Sequence, residues 1–217
     1  MTHLPTAASD LLAELAPLFS MTEQAMGFVP NSMKTMAHLP QLPVALALLV
    51  QAANGADLRP LLARFAEQAP ASVPADDLLP ATHTQLAAFA TSVAAGCRYC
   101  QAHTAHTGHR RGAQEAQYAA LLDYETSALF TAAERAIVGF ALAAGQQPNA
   151  VTAEHYDVLK EHFTTVQIVQ LAATVSTFGF LNRWNDTLAT TLETMPRSFA
   201  GDALRTLGWE AGKHAEA

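Results

Sequence analysis

Charge is scarce in this sequence. Only 14% of its 217 residues are Asp, Glu, Lys or Arg, and the twelve basic residues are outnumbered by nineteen acidic ones. A net charge of −7 with histidine neutral argues against a nucleic-acid partner, because phosphate binding needs a basic surface. Aromatic residues make up 7%, and the alanine-rich apolar remainder favours helices over sheet. No long hydrophobic run is present: the longest, Val44 to Val50, is too short to span a bilayer, so no membrane partner is expected. The opening MTHLPTAASD lacks a basic segment followed by an apolar one, so no signal peptide is readable and a soluble cytoplasmic protein is expected. Cysteine is nearly absent. The two that occur, Cys97 and Cys100, could close only a very short ring, which removes little chain entropy and makes a poor staple.

What is abundant is apolar surface. Half of the residues are hydrophobic, which demands a large core or a buried subunit interface, and the chain is expected to be a homo-oligomer. Helical periodicity runs nearly throughout and strand alternation is almost missing, so the expected fold class is all-α. The length suits a single domain, 1–217, with its core at about 11–190. Helices are expected over Ala8 to Met26 (one or two), from Pro30 to near Pro40, from Pro43 to Ala53, and from Pro60 to Glu67. The prolines at 70, 74 and 80 mark a loop. Leu86, Phe89, Ala90 and Val93 form an apolar stripe ending at Gly96. Thr131 and Glu134 match a capping box, Thr152 opens another helix, and Thr165 to Leu188 reads as a long, mostly buried one. A shift of 83 residues pairs Ala90-Thr91 with Ala173-Thr174 and Gly96 with Gly179. Chance in alanine-rich helices explains the echo better than repetition; a true repeat would make the Phe178–Leu188 arm part of a second helical hairpin.

The chemistry is concentrated in Cys97-Arg98-Tyr99-Cys100 and the histidines at 103, 106 and 109. Two cysteines with this gap suit reversible redox chemistry first, and metal ligation or coincidence otherwise. A reactive thiol needs its pKa lowered, and a helix starting after Gly96 would offer its N-terminal N–H groups and dipole, with Arg98 adding positive charge. A second cysteine one turn away can trap an oxidised sulfur as a disulfide. Residues three apart on a helix step about 60° around it, so His103 neighbours Cys100 and is the candidate proton shuttle. His106 is a weaker accessory candidate, and His109, beside Arg110 and Arg111, is expected at the surface. The same 60° step keeps Cys97, Cys100, His103 and His106 from converging on one ion, so no metal is expected.

The run Gly96-Cys97-Arg98-Tyr99-Cys100-Gln101-Ala102-His103 resembles the alkylhydroperoxidase D-like, peroxidase-related branch of the carboxymuconolactone decarboxylase superfamily. The resemblance extends to Gly27–Ser32 with Met36-Ala37-His38, to Glu134-Arg135-Ala136 and to Leu181–Asp186, covering roughly Leu11 to Leu188. It implies an all-α bundle of packed helical hairpins assembled as trimers or hexamers. It also implies a peroxidase in which Cys100 attacks a small hydroperoxide and Cys97 resolves it. An external dithiol, from a thiol reductant protein of unknown identity, would then regenerate the pair without any bound cofactor. Two positions differ from the peroxidase pattern: Gln85 stands where a glutamate is expected and Thr104 where a histidine is. Both, with Arg98 and Glu134, are accessory candidates. A thiol-exchange or sensor protein without turnover, and a lactone decarboxylase with incidental cysteines, are the alternatives.

Overall fold

The structure is a computed structural model that describes residues 2–67 and 69–215. Among the described residues there are twelve α-helices and four short 3-10 turns, and no strand, in agreement with the all-α expectation. None of these helices is long and apolar enough to cross a membrane. The chain forms two compact units, one of Met1–Leu78 with Thr165–Val169, the other of Leu79–Thr164 with Gln170–Ala217.

The first unit carries α1 (Ser9–Glu14), α2 (Ala16–Met26), α3 (Asn31–Met36), α4 (Gln41–Ala53) and α5 (Arg59–Glu67). Gly27, left-handed at φ 82, closes α2, a backbone angle that a side chain resists. The helices cover Leu15, Leu18, Met33, Ala37 and Val44, with Leu11, Phe19, Leu48 and Phe65 packed around them. Pro60 lies in the first turn of α5, where its missing N–H costs nothing. Of the early methionines, Met33 fills core, whereas Met26 is exposed.

In the second unit, α6 (Ala81–Ala94) is the central element, packed against α7 (Arg98–Arg110) and α9 (Ala132–Gly145). Leu86 through Ser92 are all buried, so α6 is enclosed nearly all round. Small residues permit the close approach: a Cβ on Gly145 would stand 2.8 Å from the Thr91 carbonyl oxygen. Thr131 and Glu134 form the expected capping box at the start of α9. The unit is completed by α8 (Glu115–Ala119), α10 (Ala153–His162), α11 (Thr165–Leu188, whose first turn belongs to the first unit) and α12 (Thr194–Ala203), which packs on α7.

At α11 one sequence expectation holds and one fails. Gly179 does not interrupt it, since an isolated glycine weakens a helix without ending it, so the echo of the Gly96 hairpin is not a repeat. Nor is the helix mostly buried: Phe180, Trp184 and Leu188 project outward. Residues 191–215, outside the expected core, belong to the second unit. Trp209 donates its indole N–H to the Arg98 carbonyl, and the Leu192 N–H donates to the His214 carbonyl.

Candidate active site

Gly96, at φ 73, turns the chain between α6 and α7 and leaves Cys97 as the N-cap of α7 in extended conformation. In that position the sulfur does the work usually done by a serine or aspartate oxygen: it accepts the Cys100 backbone N–H at 3.4 Å. Both cysteines are thiols and both are buried. The Cys97 thiol is held below the ordinary cysteine value, chiefly by its hydrogen bond with the Cys100 thiol, with backbone N–H groups of Cys100 and Tyr99 adding to it against burial and the Asp186 carboxylate. The same hydrogen bond and burial push Cys100 up, although Asn185 donates its amide to the Cys100 sulfur at 3.6 Å. The shared hydrogen bond, aided by the N–H groups of the helix N-terminus, thus favours a thiolate on Cys97 rather than on Cys100.

Of the sequence candidates, Arg98 reaches Gln101 Oε1 at 3.3 Å, and Gln101 in turn holds the Ser92 carbonyl. His103 turns away from the sulfurs: its Nε2 pairs with Glu193 at 2.7 Å and its ring stacks on Tyr99. Tyr99 also donates to Glu193, and its phenol is pushed up to about 12 by burial and that carboxylate. Thr104 returns its hydroxyl to the Cys100 carbonyl at 2.7 Å, a bond within its own helix. Gln85, on α6, packs against Gly108 of α7, two turns beyond Cys100. His106 rests on Phe199, and His109 pairs with Glu115. Glu134 is fully engaged by Thr131 and by the Gln117 amide, far along the chain from any sulfur contact.

The groups that do meet the cysteines come largely from segments given little chemical weight by the sequence. Asn185 is buried on α11, the neighbouring Asp186 is half-buried, and His214 comes from the tail. Cys97 Sγ, an Asp186 oxygen and a His214 ring nitrogen all lie within 4.8 Å of one another. Asp186 is bound by Lys213 at 2.8 Å, which holds its carboxyl below the usual range. That ammonium already supplies the positive charge a cation would bring, so the cluster is read as acid–base chemistry. Asp186 also lines a cavity of about 560 Å³, together with Thr91, Ala95, Asn182 and Arg183. Asn182 is buried with neither side-chain polar atom hydrogen-bonded. The signal for His214 in the sequence was slight: a lone histidine shortly after Trp209, in a segment with little periodicity.

Comparison with known proteins agrees with the resemblance. Residues 59–144 match the carboxymuconolactone decarboxylase family, a span holding both cysteines. No curated protein matches the chain. Two solved structures do. A cysteine-to-alanine variant of the debrominase Bmp8 in complex with 2,3,4-tribromopyrrole is 27% identical over 94% of this chain and 98% of that one, with a TM-score of 0.56. Bmp8 in its apo form is 28% identical over 95% and 98%, with a TM-score of 0.55.

Proposed function

We propose, from the premise that residues 59–144 match the carboxymuconolactone decarboxylase family, that this protein is a dithiol-dependent reductase of a small oxidised substrate. A hydroperoxide is the leading substrate class. The observation that carries the reading is the buried N-cap thiol of Cys97, held below its ordinary value with a second thiol one turn away. Attack is assigned to Cys97, the reverse of the roles implied by the resemblance, because the N–H groups of the α7 terminus converge on that sulfur.

The Cys97 thiolate attacks the terminal peroxide oxygen, the O–O bond breaks, and the alcohol leaves after taking a proton. Cys97 is then a sulfenic acid. The Cys100 thiol attacks its sulfur, water leaves, and the pair ends as a disulfide two electrons more oxidised. An external dithiol reverses that last bond by exchange, so no bound cofactor is invoked. Burial of both sulfurs favours small substrates reaching them through the cavity edge at Asp186. The test is hydrogen peroxide and cumene hydroperoxide with dithiothreitol as the probe reductant. Consumption well beyond one equivalent supports the reading; a single equivalent points to a thiol sensor.

A second substrate class is favoured by the likeness to Bmp8, which is named a debrominase. The same dithiol could deliver its two electrons, with a proton, to a bromine–carbon bond of a small aromatic ring, so that a C–H bond forms, bromide leaves and the cysteines close a disulfide. Bromide release from a bromopyrrole with dithiothreitol would move the substrate assignment there. Turnover of a ring lactone by a Cys97→Ser/Cys100→Ser double variant would instead select the lyase alternative.

A further inference from the structure

We propose that His214 accepts the proton of Cys97 and that Asp186 completes the relay, a Cys97–His214–Asp186 triad delivered to the α7 N-terminus by the carboxy-terminal tail. This rests on the dithiol reading and deepens it by naming its base.

His214 is 1% exposed, and its Nδ1 lies 2.8 Å from the Thr190 carbonyl oxygen. A carbonyl only accepts, so Nδ1 carries the hydrogen and, in the neutral ring, Nε2 is a lone pair. That Nε2 is buried with no hydrogen-bond partner and faces Asp186 Oδ1 at 3.5 Å, on a ring of which one nitrogen lies within 4.8 Å of Cys97 Sγ. A lone pair set against a carboxylate lacks a proton between them. The nearest source is the Cys97 thiol. Moving its proton to Nε2 breaks S–H, forms N–H and exchanges no electrons. The imidazolium then donates to Asp186, and the thiolate keeps the Cys100 N–H. The buried orphan atom is thereby satisfied and two new opposite charges face each other.

The surroundings fit that state. Lys213 keeps Asp186 ionised, the Tyr99 ring lies 5.8 Å from the His214 ring with its phenol held by Glu193, and Cys100 offers a neutral thiol. The chain takes the turn that presents Thr190 by placing Ala189 at φ 48, a left-handed angle that alanine adopts only under constraint. The Leu192 N–H to His214 carbonyl bond, 2.8 Å, then fixes the tail in register.

The experiment is the pH profile of iodoacetamide alkylation of the reduced protein in a Cys100→Ser background, where Cys97 alone reports. His214→Asn keeps an N–H for the Thr190 carbonyl but has no acceptor at the Nε2 position. It should move the alkylation midpoint up by about one pH unit or more and slow alkylation at neutral pH by roughly tenfold. Asp186→Asn removes a carboxylate that by itself raises Cys97, so under the relay its midpoint still moves up, by less, because the imidazolium loses its partner, whereas a lowered midpoint there counts against the relay. An unchanged profile in a folded His214→Asn protein overturns the relay and makes the tail histidine structural. Should that variant not fold, an unchanged profile in Asp186→Asn overturns it instead. Alkylation needs neither substrate nor reductant, so a shifted midpoint without turnover of any oxidised substrate sinks the reductase reading and leaves the relay standing.

Discussion

At the scale of single residues, position on the helix outweighs residue type. Cys97 and Cys100 are chemically identical and one turn apart, yet the hydrogen bond they share lowers the Cys97 thiol, with N–H groups of the α7 terminus adding to it, and raises the Cys100 thiol. Cys97→Ser should therefore abolish peroxide consumption. Cys100→Ser should still consume about one equivalent and leave a dimedone-reactive sulfenic acid on Cys97. Mass spectrometry of dimedone adducts checks it; an adduct on Cys100 in the Cys97→Ser protein would restore the opposite roles. His103 should matter little to the chemistry, since Glu193 and Tyr99 hold it. His83 offers a pH test of stability. Burial lowers its pKa against the Glu134 carboxylate, and its Nδ1 has no partner. Its unfolded form therefore binds the proton more readily. The folded state should lose stability as pH falls from about 6.5 through the depressed folded value, and keep it above. Urea midpoints at pH 7 and pH 5 should differ less in His83→Phe than in the parent protein.

At the scale of elements, the site depends on how closely α6, α7 and α9 approach. Gly108 on α7 lies against the Tyr118 hydroxyl, and any Cβ there would collide with it. Tyr118 is buried edge-on against Phe89, with ring centroids 4.9 Å apart, and has little room to retreat. Gly108→Ala should therefore destabilise the protein by about 1–3 kcal/mol despite its better helix propensity. A denaturant midpoint equal to that of the parent would mean Tyr118 relaxes freely. Glu134, in the capping box, is an element-scale residue too: Glu134→Gln should cost stability modestly and leave thiol alkylation untouched.

At the scale of the whole molecule, Phe180, Trp184 and Leu188 recur every four residues along α11 and stand 45%, 55% and 59% exposed, with Phe180 and Trp184 stacked. Such a stripe is expensive to leave in water and is the seam at which we expect copies of this chain to associate as trimers or hexamers. Trp184→Lys with Phe180→Lys should lower the mass found by ultracentrifugation to that of the monomer. A parent protein that is already monomeric at micromolar concentration would refute the association itself.

The sequence alone determined the helical class, most helix starts though not those of α8 and α12, the capping box and the thiol pair. Each of these depends on neighbours within a turn or two: Gly96 before Cys97, Thr131 with Glu134, the apolar stripe through Leu86 and Phe89. Helical spacing also put His103 beside Cys100, which proved insufficient, because Glu193 from a distant segment takes the imidazole. Only the tertiary structure decided what meets the sulfurs. Asn185 lies 85 residues from Cys100, and His214 arrives from a tail with weak periodicity. Which of two equal thiols is favoured as thiolate was likewise beyond local pattern. It follows from which sulfur occupies the N-cap and which charges the remaining chain brings to it.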